Sequence, residues 1–292
     1  HIFKAVQCDT QRLVALKQSR ASLQLNWSTL HHEARVLKLL SGHPSIPEVY
    51  AYGRIEHFEL ISMQLLHQNF TDVVKEDGPL SLKIVVDVAC QMMDALQHVH
   101  SHGLVHRDIK PDNMMLQCPG SWKLCLIDFG LTRPVPSSSG SAQPTSHEDS
   151  DSSSNDPAHV FGTLPFASLN AHEGAQLTFR DDFESLAYTL LWLIRGSLPW
   201  SHYTESGTQI GQIRQVFAQK KRHTGSILAT ELPVEFGEFV DYARSLLLDE
   251  KPGYEEWRGR LKQIEFTTCD DILIPECQDS PSKYSGSTNT KR

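Results

Sequence analysis

Between His102 and Gly130 the chain reads HGLVHRDIKPDNMMLQCPGSWKLCLIDFG, with short apolar runs at Met114 to Gln117 and Lys123 to Ile127 on either side of Pro119-Gly120-Ser121. Proline presets one turn dihedral and glycine tolerates a positive φ, so the segment is expected to double back as a hairpin. Doubling back sets Asn113 beside Asp128 across the open end, an amide oxygen next to a carboxylate. Hard oxygen donors so placed suit Mg2+ held together with substrate phosphates. Just upstream lie Asp108, a carboxylate able to orient or accept the proton of a hydroxyl, and Lys110, an ammonium able to neutralise a phosphoryl group. A base, a cation and two metal ligands thus fall within one short stretch.

The remainder has to supply a scaffold for them. With 292 residues, 39% hydrophobic and 21% charged, the chain has the composition of a folded protein, large enough for two compact domains or one with a cleft. A net charge of -8, from 27 basic and 35 acidic residues, gives no overall attraction to nucleic acid or anionic membrane. The longest apolar stretch, around Leu186 to Ile194, is half the length that a membrane span needs and is interrupted by Tyr188 and Thr189, so it reads as a buried helix. Neither nucleic acid nor membrane is therefore expected as a partner. Cys8, Cys90, Cys118, Cys125, Cys269 and Cys277 form no CxxC pair and no zinc spacing, which fits a reducing, intracellular location, cytoplasmic or nuclear.

Two β-prone runs between Ile2 and Lys17, parted by Asp9-Thr10-Gln11-Arg12, predict a hairpin. Leu30, Ala34, Leu37 and Leu40 recur at helical spacing until Gly42, His43 and Pro44 stop the pattern. Val49 to Tyr52 and Phe58 to Leu66 read as strands, and Leu80 to His100 as a long amphipathic helix closed by Gly103. The first region is mainly strand and the second mainly helix. Residues 134 to 159 and 267 to 292 turn to Ser, Pro, Gly and acidic residues, with almost nothing apolar to repay ordering, and are expected to be a disordered insertion and a disordered tail.

On these residues the chain resembles a known family. His106-Arg107-Asp108-Ile109-Lys110-Pro111-Asp112-Asn113 is similar to the catalytic loop of the protein kinases, and Asp128-Phe129-Gly130 to their metal-binding motif. Val14-Ala15-Leu16-Lys17 resembles the lysine strand, with Glu33 on the next helix placed to pair with Lys17. Further on, Phe161 to Trp200 resembles the casein kinase 1 family, Ser168-Leu169-Asn170 standing where most kinases have Ala-Pro-Glu, and Asp249-Glu250-Lys251-Pro252 resembles that family's segment near the end of the catalytic domain. The likeness runs from about residue 2 to 265 apart from the insertion.

The resemblance implies an α+β, two-lobed protein kinase-like fold: a small β-rich lobe over 1-63, a hinge at 64-66 and a larger helical lobe over 67-266. It implies a serine/threonine protein kinase using ATP and Mg2+ on protein substrates. Asp108 would be the base, Lys110 the cation beside the transferring phosphate, and Asn113 and Asp128 the metal ligands. Lys17, steadied by Glu33, would contact the ATP phosphates. Ala15 and Met115 would line the adenine pocket, Met63 would sit behind it, and Gln64, Leu65 and Leu66 would form the hinge. Asp182 would accept hydrogen bonds from the catalytic-loop backbone, and His106 and Leu37 would join a packed column with Phe129. A Gly-rich phosphate-covering loop would stand just before Ile2, and since no glycine precedes Gly42 and the chain opens on His1, a truncated product is expected. Pro165 stands where casein kinase 1 relatives carry an arginine that holds acidic or phosphorylated substrates.

Blander readings compete at several positions. The rival to an enzyme is a pseudokinase-like binding module; a second is a kinase-fold enzyme for small molecules. Lys220-Lys221-Arg222-His223 would attract acidic substrates or act as a nuclear import signal, but such a run is more often solvated surface. His98, His100, His102 and His106 invite a metal reading, since His98 and His102 share a helix face, yet no carboxylate or cysteine completes a zinc set. Lys17 and Glu33 taken singly would be surface residues, and Asp128 or Asp182 could each cap a turn or helix. The acidic serine run Ser150-Asp151-Ser152-Ser153-Ser154 resembles substrates of the kinase group, which predicts self-phosphorylation within 137-154.

Overall fold

A computed structural model describes residues 1–20, 28–135 and 160–264. The acidic serine run and the tail expected over 267-292 lie outside the described residues. The first lobe opens with β1 (Ile2–Val6) and β2 (Leu13–Arg20), the expected hairpin, closed by the Gln7 amide on the Arg12 carbonyl at 2.8 Å. After α1 (Thr29–Leu39) come β3 (Val49–Ile55) and β4 (Phe58–Gln64), and the four strands form one antiparallel sheet in the order β1-β2-β4-β3. β4 stops at Gln64, the last residue with a cross-strand partner, Val14, so Leu65 and Leu66 run on as a connector rather than as strand. Ser28 caps α1 by accepting the His31 amide at 3.0 Å. Leu30, Glu33, Ala34 and Leu37 then recur at helical spacing and are buried against the sheet and the second lobe. Glu33 is thereby carried inward on an apolar stripe.

The second lobe is helical: α2 (Phe70–Asp77), α3 (Leu82–Ser101), α4 (Leu169–His172), α5 (Phe179–Arg195), α6 (Gln209–Arg222), α7 (Gly225–Leu228), α8 (Val234–Ser245) and α9 (Tyr254–Lys262). Short strands interrupt it, β5 (Leu104–Val105) pairing with β8 (Arg133–Pro134) and β6 (Met114–Leu116) with β7 (Leu124–Leu126). The overall arrangement is the two-lobed α+β one that the resemblance implies. α5 is buried nearly all round, its Phe183, Leu186, Tyr188, Leu190 and Leu193 wholly so. Each such leucine or phenylalanine contributes about 1.5–3 kcal/mol. At its start the Asp181 carboxylate accepts the Thr178 amide at 2.7 Å, and Gly196, at φ 73°, ends it. The buried helix thus carries Asp182 in its first turn.

Among the described residues no helix is long and apolar enough to cross a membrane. Among the described residues, Cys8, Cys90 and Cys125 carry free thiols.

Candidate active site

Lys17 projects from β2 opposite Ile61 and reaches between two carboxylates. Its Nζ donates to Glu33 Oε1 and Oε2 at 2.8 and 2.7 Å and to Asp128 Oδ1 at 3.1 Å. Burial would lower the Lys17 pKa, but Glu33 and Asp128 outweigh it and hold the ammonium charged above the usual value. Burial on the α1 stripe pushes Glu33 up more than Lys17 pulls it down. For Asp128 burial is the largest influence and would raise its pKa, yet the cations around it, Lys17 first, bring it below the ordinary carboxylate value. One ammonium thus links the sheet, α1 and the segment after β7.

The β6–β7 hairpin has the register Met114↔Leu126, and the Ile127 amide bonds the Asn113 carbonyl at 2.9 Å, which leaves Asp128 one residue beyond Asn113's partner. Asp128 takes a left-handed conformation, φ 64°, and starts a single 3-10 turn that buries Phe129. The Phe129 ring meets His106 edge-on at 4.9 Å. His106 Nε2 donates to the Ile127 carbonyl at 3.1 Å while its Nδ1 accepts the Asp108 amide at 3.3 Å, which fixes one tautomer. His106, Phe129 and Leu37 are all buried, as the packed column requires.

Asp108 is itself buried and its carboxylate is fully engaged. Oδ2 pairs with Lys110 Nζ at 2.8 Å and accepts from Asn113 Nδ2 at 3.0 Å, and Oδ1 accepts from the Thr163 hydroxyl at 2.7 Å. Asn113 Nδ2 also donates to the Asp108 carbonyl at 2.8 Å, and Lys110 Nζ to Thr163 Oγ1 at 2.6 Å. Behind the loop, Asp182 at the start of α5 accepts the His106 and Arg107 amides, each at 2.8 Å. Burial would raise its pKa, but hydrogen bonds and nearby histidines, His100 foremost, keep it low. His100 Nε2 donates to Asp182 Oδ2 at 2.8 Å and its Nδ1 meets the Tyr254 hydroxyl at 2.5 Å. The last helix thus reaches the catalytic loop through two side chains.

Of the residues expected at the adenine, Ala15 pairs with Met63 across β2 and β4, and shares the Lys17 face of β2 by alternation. Met63 packs between the two apolar clusters. Gln64, Leu65 and Leu66 lead from β4 into the second lobe, where the His67 amide bonds the Leu116 carbonyl at 2.8 Å, and Met115 bridges to Asn69.

Thr163 and Tyr254 were not singled out from the sequence; each reaches its partner from far along the chain. Gly162 also went unmarked: it has φ +86°, and a Cβ there would stand 2.7 Å from the Arg107 carbonyl. Lys220 corrects the solvated-surface reading of the basic run. Its side chain is buried completely, because it lies on the same α6 face as buried Ile213 and Val216, whereas Lys221 and Arg222 are exposed. His98 donates to the Leu40 carbonyl at 2.9 Å and stacks on His43, a helix-packing role.

The protein kinase domain family matches residues 1–249 of the chain. Casein kinase I homolog 1 of Saccharomyces cerevisiae is 33% identical over 244 residues, covering 80% of this chain and 43% of its own length. Casein kinase I homolog 2 of the same yeast is 33% identical over 244 residues, 80% of this chain and 42% of its own. Casein kinase 1-like protein HD16 of Oryza sativa subsp. japonica is 35% identical over 253 residues, 84% of this chain and 34% of its own. The chain spans less than half the length of these curated relatives.

Proposed function

Because the chain belongs to the protein kinase family, and within it is casein kinase 1-like, we propose that it transfers the γ-phosphoryl group of ATP to serine or threonine hydroxyls of proteins. The observation that carries this reading is the Asp108 carboxylate, held by Lys110, Asn113 and Thr163 at 2.7 to 3.0 Å, within one lobe while Lys17 joins Glu33 to Asp128 across the two. Asp108 would orient the acceptor hydroxyl and take its proton, and Lys110 would balance charge on the phosphoryl oxygens. Lys17, with Glu33 keeping its direction, would hold the nucleotide phosphates. Ala15, Met63, Gln64, Leu65, Leu66 and Met115 would bound the adenine, with the lobes dividing at 1-63, 64-66 and 67-266.

Asn113 and Asp128 fit a hard cation. The Asn113 amide nitrogen is spent on Asp108, which leaves its oxygen for a metal, and Asp128 is held ionised. Among the described residues no three His, Cys, Asp or Glu gather as a protein cage. A two-ligand set suits Mg2+ completed by phosphates and water, and when bound it would neutralise the phosphate charge. A binding module without turnover has no observation in its favour, since Lys17, Asp108, Asn113 and Asp128 are all retained in engaged geometry.

Mg2+-dependent transfer of labelled phosphate from ATP to casein, and to the protein itself, tests the reading. Transfer is expected in the native protein and none above background in Asp128→Asn. Transfer that survives this substitution, or its absence from the native protein at saturating ATP, would refute it. We expect the self-label to map within 137-154.

A further inference from the structure

The segment from Phe161 to Asn170 lies between the catalytic loop and α5 and is tied down almost residue by residue. Thr163 meets Asp108 and Lys110. The Pro165 carbonyl accepts from Trp200 Nε1 at 2.8 Å. Ser168 Oγ and Asn170 Nδ2 donate to Asp181 Oδ1 at 2.7 and 2.9 Å, and the Leu169 amide to Glu184 Oε1 at 3.0 Å. Two further carbonyls, of Leu164 and Ala167, accept from a single group, Lys220 Nζ, at 2.9 and 2.5 Å.

The surroundings of that nitrogen are acceptors and ring faces. Its third neighbour is His172 Nε2 at 3.3 Å. The Tyr188 and Trp200 rings lie 5.0 and 5.4 Å from it, close enough for cation–π attraction. Burial, the largest influence, takes the Lys220 pKa well below the usual lysine value; the buried Glu184 carboxylate counters this, while Arg244, bonded to Tyr188, adds to it. Burying an ammonium is costly, and methionine would fill the volume without that cost. Two carbonyls on one turn of backbone give the nitrogen a task.

We infer that Lys220 is a positioning residue for phosphoryl transfer, its Nζ pinning the Leu164 and Ala167 carbonyls by hydrogen bonds so that the segment presents Thr163 to Asp108 and Lys110. The kinetic consequence rests on the kinase reading above; the clamp is a property of the fold alone. Lys220 touches no reacting atom and acts through the segment.

Lys220→Met in the full chain keeps the apolar stem and removes the charge. A loss of about 10- to 100-fold in kcat/KM for a protein acceptor is expected, with KM for ATP within about twofold of native, because small misplacement near the reacting centre has effects of that order. Amides of 161–170 should lose hydrogen-exchange protection while those of α3 keep theirs. Lys221→Met, which breaks the exposed contacts with Glu173 and the Phe217 ring, should change neither readout. Native kinetics and exchange in Lys220→Met would overturn the inference. So would equal losses for ATP and acceptor with exchange raised through the whole lobe, the mark of a packing role only. The native chain labelled with 15N-lysine provides a reading that does not depend on the variant folding: a side-chain nitrogen with slowly exchanging protons and contacts to the Tyr188 and Trp200 rings is expected, and its absence overturns the clamp. Should the native protein transfer no phosphate, the kinase reading fails by itself, and exchange and resonance still decide the clamp.

Discussion

Acid should loosen the substrate-side segment through His172. This residue ends α4, stacks on Phe217 at 5.2 Å and accepts from Lys220, so a proton on its Nε2 would remove one of the ammonium's partners and set two cations together. Burial, then Lys220, holds its pKa at about 3, against 6.5 for an ordinary histidine. With the folded value lowered, the unfolded chain binds the extra proton, so the neutral ring's contribution is complete above 6.5 and is lost as pH falls from there towards 3. Between about pH 7.5 and pH 5 the linkage amounts to about 2 kcal/mol, since each unit below the unfolded pKa costs about 1.4 kcal/mol. His172→Gln keeps an acceptor for Lys220 and removes the titration. Urea unfolding followed across that range should show the native protein losing about 2 kcal/mol more than the variant, whatever their offset at neutral pH. Parallel curves would refute the assignment of a buried, neutral His172.

Tyr254→Phe keeps the ring and deletes the hydroxyl that meets His100; kcat should fall about two- to fivefold, the worth of part of one buried hydrogen bond, with KM for ATP unchanged. Native kcat at equal folded fraction would detach the last helix from the catalytic loop. Gly162→Ala combines a φ of +86° with a Cβ 2.7 Å from the Arg107 carbonyl, so about 1–3 kcal/mol of stability and most transfer activity should be lost, read by thermal unfolding and the phosphate assay. Native stability would mean that the segment can move away from Arg107.

The chemistry was legible where its parts are neighbours in sequence. Asp108, Lys110 and Asn113 share one loop, and a hairpin delivers Asp128 to them, so turn residues and apolar runs sufficed. Lys17 and Glu33 were legible only through their order relative to those residues, because nothing local distinguishes a strand lysine from a surface one. Thr163 and Tyr254 reach partners 55 and 154 residues away, and no local pattern encodes such a meeting.

Lys220 differs, since its signal was present and was averaged away. Read as a block, Lys220-Lys221-Arg222-His223 is a solvated charge run; read at helical period, Lys220 follows Ile213 and Val216 on the buried face of α6. A lysine at such a position sets local periodicity against the cost of burying charge, and the two are reconciled only if another part of the chain brings acceptors to it. The acceptors here are carbonyls, which exist at every residue and leave no mark in the sequence. The helix could therefore be read as carrying a conflict, while its resolution, and with it the link to Thr163, depended on which backbone segment came to rest against α6.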